Sequence, residues 1–421
     1  MSFNEKLGKQ ENEYKKLFYS GIINGIGNRF TQVALLALIY QITHSAFAIG
    51  LLFLIRLLPF LLMAPLGGAL ADRMSKKYIL ISVEVFRIPI ILLLTLVNEP
   101  HQLWIIYVSS FGLALGEAIY APTRKATIPA LVRKDHLLHV NAIEQIIMGL
   151  VLIIGSTTGG VISYLFGMDT AFILNAITFV ISALFLSSLN PPAHPNVSKS
   201  LVSSSAKVSY KIFFKSPVLL VFLFICFTMP IANGIDNVLI SIYALDVFQM
   251  GDLGVGLIYG CLGLGFVLSS FFSDRMSGKL VPITVIFIAI EGIGHLFLSV
   301  SPTFFLALCS VVFITLAGGM SNISFDTLVM KTIPHNRQGT FFGLTEMITN
   351  VTLGIFIAVG GLLLEVFEPR VLGGIVGLLY IGFTIIYAIM FKQINFLKEK
   401  RNLHHLLIKK TEIKSRIAKS R

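Results

Sequence analysis

Long apolar runs dominate the chain, and short polar turns separate them. Twelve runs are visible, over residues 17–42, 46–71, 78–97, 103–123, 140–165, 169–189, 217–243, 253–274, 281–300, 303–326, 340–364 and 371–391. A helix needs about 20 mostly apolar residues to cross a bilayer, so each run predicts one spanning helix. Strands of a membrane barrel would instead be about ten residues of alternating polarity. The runs leave no length for a separate soluble domain. The expected fold is an all-α integral membrane protein with a short tail over 1–16, a six-helix half over 17–189, a linker over 190–216, a second six-helix half over 217–391 and a basic tail over 392–421.

The polar turns repeat. Asp72-Arg73-Met74-Ser75 returns as Asp274-Arg275-Met276-Ser277, Thr127-Ile128-Pro129 as Thr332-Ile333-Pro334, and Gly159-Gly160 as Gly360-Gly361. Three matches in order, each displaced by about 200 residues, describe parallel repeats related by an axis along the membrane normal. Asn190-Pro191-Pro192 opens the stretch between them, which continues in serines and lysines, as a linker does.

Composition agrees with the pattern. The chain is 55% hydrophobic and 13% charged, against roughly 25% charged in soluble domains. The net charge of +12 would suit a nucleic-acid partner, but its placement speaks against one. Of the 33 Lys and Arg, all but Arg29, Arg56, Arg87 and Arg370 fall in the tails or in the turns after even-numbered helices. This positive-inside bias predicts both termini in the cytoplasm. Its basic, periodically apolar sequence gives the last tail two readings, a surface helix on anionic lipid or a solvated tail. Cys226, Cys261 and Cys309 show no metal spacing and read as small core residues. No phosphate-binding loop, nucleophile elbow or paired-His motif is present, so no enzyme site, cofactor or metal is expected.

Ionisable residues inside the spans are the candidates for function, because each costs about 2.5 kcal/mol or more at a helix centre. Glu84, Glu117, Glu144, Asp236, Glu291, Asp326 and Glu346 are the embedded acids. Glu84 and Arg87 are three apart and predict a structural ion pair. Asp236 shares a helical face with Asn233 and Asn237, beside Pro230 and Gly234, which weaken the helix. Glu346 has Asn350 four residues on. Asp236, Glu346 and Glu117 are therefore the proton-coupling candidates, since burial on one side and water on the other lets a carboxyl load and release a proton. Asn28, Arg29 and Arg56 complete a set of polar cavity candidates with Asn233, Asn237 and Asn350. Arg29 and Arg56 either neutralise embedded acids or bind an anionic substrate, and pairing is the expectation. Glycines four apart allow close helix approach; Gly155, Gly159 and Gly160 are the candidates for a packing hinge.

Gly67 to Lys77 resembles the loop between helices 2 and 3 of the major facilitator superfamily, and Leu268 to Lys279 resembles its degenerate copy between helices 8 and 9. Ala34-Leu35, Ala48-Ile49-Gly50, Ile128 to Val132, Asn141-Ala142 and Gly159-Gly160 resemble the drug-exporter branch that includes macrolide-efflux proteins and the enterobactin exporter. The resemblance implies a conformational latch made of Gly68, Asp72, Arg73 and Arg124, with Asp274 and Arg275 as its weaker copy. Asp72 is expected to pair with Arg124 and to lie near a helix amino terminus. Members of that branch often carry an acid where this chain has Asn28, which departs from their proton coupling.

The expected activity is secondary transport by alternating access in a bacterial plasma membrane. The substrate is an amphipathic drug such as a macrolide-like compound, exported against protons; aromatic and Met side chains suit such a cavity. A siderophore, a lysolipid or another metabolite is the alternative, and a non-transporting sensor or scaffold is the alternative of another class. The expected partners are the small-molecule substrate, protons and membrane lipids, with the chain acting as a monomer.

Overall fold

A computed structural model describes residues 9–43, 46–190, 213–214, 216–276 and 278–394. The tail over 395–421 and the linker over 191–212 lie outside the described residues. Twelve helices run through the rest: α1 Lys9–Thr43, α2 Ala46–Ala71, α3 Lys76–Leu93, α4 Leu103–Leu131, α5 Leu137–Phe166, α6 Met168–Ser187, α7 Pro217–Ile242, α8 Gly251–Ser270, α9 Leu280–Val300, α10 Phe304–Thr332, α11 Gln338–Leu364 and α12 Pro369–Gln393. Among the described residues, eleven helices are long and apolar enough to cross a membrane, and Gly254–Ser270 is a shorter apolar helix. Large apolar side chains such as Leu62, Leu184 and Phe305 are exposed on the outside. Lipid is the solvent that makes this surface favourable.

Element ends differ from the sequence expectation where tertiary partners intervene. Helix α1 begins at Lys9, inside the stretch expected as a tail, because Tyr14 and Leu17 are fully buried and Lys16 donates to the Ser188 carbonyl at 2.6 Å. Helix α4 passes its expected end at 123, carries Pro122 and Pro129 internally and stops at Leu131. A Pro removes one backbone donor and bends a helix, but here Thr123 and Thr127 bond carbonyls one turn back and bury their hydroxyls. Helix α5 contains a π-turn over Val151–Gly155, and a second π-turn, Tyr243–Val247, follows α7. Helix α8 ends at Ser270, and Ser273–Met276 forms a separate 3-10 turn.

The halves touch through backbone at two crossings. At the first, a Cβ on Gly68 of α2 would lie 2.1 Å from the Gly339 carbonyl oxygen of α11, and one on Gly343 would lie 2.3 Å from the Ala64 oxygen. At the second, a Cβ on Gly149 of α5 would lie 2.4 Å from the Gly263 oxygen of α8. Glycine alone permits such approach. The four-residue pair Gly256 and Gly260 meets nothing within 4 Å.

Below, the basic side is the one that carries Lys76, Lys77, Arg133, Lys134 and Lys279. The apolar core is continuous between the halves at that side only: one cluster joins Ala71, Ile128 and Leu131 of the first half to Val329, Phe341 and Phe342 of the second. Away from it, Phe30, Ile39 and Phe172 belong to a cluster confined to the first half, and Leu239, Tyr243 and Leu372 to one confined to the second. The molecule is thus sealed on the basic side and divided on the other.

Candidate functional site

The seal is built around Asp72. Its carboxylate, in the turn after α2, accepts from the Gly339 and Thr340 backbone N–H groups at 2.7 Å each and from the Thr340 hydroxyl at 2.5 Å. The first N–H groups of a helix have no intrahelical partner and carry its positive dipole end. Asp72 of one half therefore caps α11 of the other, and the Gly68 crossing brings them within reach. Burial pushes this carboxyl up to about 6, with the Thr340 and Gly339 donors acting in the other direction. Arg73 is exposed. Nearby, Asn141 of α5 donates to the Thr327 hydroxyl of α10 at 2.9 Å.

Arg124 does not join this contact, contrary to expectation. It forms a two-pronged ion pair with Glu144 of α5, at 2.6 and 3.1 Å, and Tyr14 donates to the same carboxylate at 2.6 Å. The reason is the extension of α4, which holds Arg124 within the bundle on the inner wall. The second turn is not a mirror of the first. Asp274 and Arg275 occupy the Ser273–Met276 turn, and Arg275 lies over the Phe272 ring at 6.0 Å.

A cavity of about 580 Å3 lies between the halves, lined by α1, α4, α5, α7, α9, α10 and α11. Charged and amide groups (Asn28, Arg29, Lys125, Asn233, Asp326) alternate on its wall with Met148, Met229, Phe325, Phe341 and Phe342. Lys125 bridges the halves, 3.0 Å from Glu346 of α11, and also feels Asp326. Asn350 donates to Glu346 at 3.0 Å. Glu117 sits on the same wall, 2.7 Å from Arg87. Arg87 is 1% exposed, with its guanidinium over Tyr120 and Phe179. The expected Glu84–Arg87 pair is thereby replaced. Glu84 instead accepts from Asn24 and Ser182, both at 2.6 Å, and Asn28 donates to Asn24 at 2.8 Å. The longer reach across to α4 gives Arg87 a partner on the cavity wall.

The carboxy-terminal half holds a second polar cluster. Helix α7 runs unbroken through Pro230, and Gly234 is packed against Leu353 and Phe356 of α11. The expected shared face divides: Asp236 turns to His295 of α9, 3.2 Å away, while Asn233 faces the cavity and accepts from the Tyr380 hydroxyl of α12. Asn237 is exposed. His295 is 1% exposed and stacked on Tyr380 at 4.9 Å, with Glu291 one turn before it. Among the described residues no group of His, Cys, Asp and Glu is arranged to hold a metal ion.

Arg29 donates to Gln32 at 2.8 Å, and Arg56 makes no ion pair or hydrogen bond among the described residues, although it feels Glu117 at longer range, so neither is in direct contact with an embedded acid. Gly155 lies in the α5 π-turn against the Arg29 stem, Gly159 lies against Phe30, and Gly160 meets nothing within 4 Å. The sequence reading missed Lys125, taken for a loop charge, and His295. The spacing of Glu291 and His295, four apart on one apolar helix, was the signal for the latter. Nothing local marks Gly339 and Thr340 as the partners of Asp72.

Residues 17–359 match the sequence profile of the Major Facilitator Superfamily. The chain is 25% identical over 373 residues to the uncharacterized MFS-type transporter YfiS of Bacillus subtilis, covering 83% of this chain and 86% of that one. It is 25% identical to the enterobactin exporter EntS of Citrobacter koseri over 372 residues, 85% of this chain and 87% of the other. The staphyloferrin A transporter of Staphylococcus aureus is 28% identical over 203 residues, 47% and 50% of the two chains. Among solved structures, a bacterial homologue of the iron transporter ferroportin in an outward-facing state superposes with a TM-score of 0.70 at 14% identity, covering 92% of this chain and 99% of that one. Twelve helices in two halves, a cavity between them and a profile match through both halves lead to one conclusion: the chain belongs to the Major Facilitator Superfamily and is a multi-pass membrane transporter.

Proposed function

We propose that this transporter exports a small amphipathic metabolite of the siderophore kind across a bacterial plasma membrane by alternating access. The observation that carries the reading is a polar and aromatic cavity between two halves that are joined on the basic side by the Asp72 contact and separate on the other. The relatives that export enterobactin or transport staphyloferrin A support the substrate class. The positive-inside bias supports a cytoplasmic basic side, so the described state is the one open outward. Releasing Asp72 from α11 would open the cytoplasmic side for loading.

Protons are the proposed driving ion, and the chain acts as a monomer in this reading. The Asp236–His295 contact is the proposed carrier, since an imidazole 3.2 Å from a carboxylate is placed to take up and release a proton. Glu291, Tyr380 and Tyr243 are other titratable groups facing it. Inverted membrane vesicles loaded with a proton gradient test the reading: uptake of enterobactin or of staphyloferrin A is expected, abolished by an uncoupler and by Asp236→Asn. Uptake that survives both would remove proton coupling. A macrolide-like drug is the second reading, favoured by the Phe325, Phe341 and Phe342 wall, and erythromycin in the same vesicles decides between the two.

A further inference from the structure

A smaller hollow of about 300 Å3 opens off the central cavity inside the amino-terminal half, and the two share Asn28, Arg29 and Glu117. Arg29 enters its wall from α1 and Arg56 from α2. Glu117 is the only carboxylate among its described lining residues, and Arg87 already holds it at 2.7 Å. Arg29 has only the neutral Gln32 as a partner, and Arg56 has none among the described residues. Glu117 attracts Arg56 at longer range and the Arg29 guanidinium repels it, so in the hollow one carboxylate stands against three guanidiniums.

A guanidinium inside a membrane protein is costly unless an anion compensates it. Two that repel each other and face one hollow compound that cost, and packing alone does not return it. The fold nevertheless makes room for them. A Cβ at Gly155, in the α5 π-turn, would stand 2.9 Å from the Arg29 Cβ, so glycine there gives the Arg29 stem its place. Leu35, Phe60 and Leu113 supply apolar wall beside the two charges. Arg presents a planar fork that matches a carboxylate or a similar oxyanion in a two-pronged bond.

We propose that Arg29 and Arg56 form a clamp for the head group of an organic anion, a carboxylate, catecholate or sulfonate on an apolar body. This deepens the export reading and rests on it for the direction of movement, not for binding.

Two dyes on one xanthene frame test the clamp: fluorescein, an anion, and rhodamine 123, a cation, titrated into the purified full-length protein and followed by anisotropy. Fluorescein is expected to bind at least about tenfold more tightly. Arg29→Gln and Arg56→Gln should each weaken fluorescein by about tenfold or more and leave rhodamine 123 unchanged, while Arg56→Lys keeps part of the affinity because the charge remains without the fork. Unchanged rhodamine 123 binding shows that the variants are folded. Equal affinity for the two dyes, no fluorescein binding, or fluorescein binding indifferent to both Gln variants would overturn the clamp. Competition separates two sources of the oxyanion: 2-naphthoate is expected to displace fluorescein at lower concentration than lysophosphatidylglycerol does, and the reverse order would hand the clamp to a lipid phosphate. Flux in proteoliposomes keeps the two proposals apart. Arg-dependent fluorescein binding without flux would sink the export reading and leave the clamp, whereas rhodamine 123 flux without fluorescein binding would do the opposite.

Discussion

Arg124 and Lys125 are neighbours in sequence, and the structure sends them to different halves. Arg124 pairs with Glu144 inside its own half, and Lys125 reaches Glu346 in the other. Lys125 is 41% exposed and Glu346 14%, so cavity water screens the pair and its loss costs about 1 kcal/mol. Lys125→Met is therefore expected to lower thermal stability modestly, and Lys125→Met with Glu346→Gln to recover most of the loss; unfolding in detergent, followed by a thiol-reactive dye, measures both. If the double variant is as unstable as the single one, the ion pair is not the cause. At the seal the cost comes from mismatched hydrogen bonds. An amide keeps one acceptor oxygen, but its NH2 group then faces the Gly339 or Thr340 N–H donor. Asp72→Asn should weaken the closed contact by about 1–3 kcal/mol and slow transport in vesicles. Asp274→Asn should do less, because the second turn follows Ser269 and Ser270 where the first follows Gly67 and Gly68, and so lacks the glycine that brings α2 against α11. Equal defects in the two variants would end that asymmetry.

At the scale of elements, the crossings are decided by which glycines face one another across the halves. Gly68, Gly339 and Gly343 meet backbone to backbone, although they lie far apart in the chain. The sequence showed Gly68 through its motif; four-residue spacing is shared by Gly339 and Gly343 at the crossing, by Gly155 and Gly159 against α1, and by Gly256 and Gly260, which face open space, so spacing alone does not pick the crossing. Gly68→Val is expected to prevent the α2–α11 approach and abolish transport with the protein still inserted. Gly160→Ala, with nothing within 4 Å, is expected to be silent in the same flux measurement. A silent Gly68→Val would mean that α2 and α11 need not come this close during the cycle. Helix existence was legible because the bilayer imposes one apolar run per span. Helix ends were less so. Thr123, Arg124 and Lys125 look like a turn on composition, and only their tertiary partners let α4 continue through them.

At the scale of the whole molecule, the seal makes the conformational balance depend on pH. In the closed state burial holds the Asp72 carboxyl at about 6, and on opening it returns to water and its ordinary value of 3.8. Between those values the closed state binds more protons than the open one. By linkage, acidification through this window favours the closed state, and its advantage is lost as pH rises through about 6. Spin-label distances across the basic side are expected to shift toward the closed population between pH 7 and pH 5. The same measurement on Asp72→Asn should lack that component, and identical curves for the two proteins would remove Asp72 as its origin.

The sequence by itself determined the solvent, the number of spans, the repeat and the sidedness of charge, because each is written in local composition against a uniform apolar slab. It also named most of the charged residues that face the cavity, since a charge in a span has few other uses. It did not decide their partners. Asp72 caps α11, Arg87 holds Glu117 instead of Glu84, Asp236 meets His295, and Arg29 and Arg56 share a hollow whose one carboxylate among the described residues, Glu117, is held by Arg87. Those choices follow from which helices the two halves bring side by side, and distance in space between residues remote in the chain leaves no local trace.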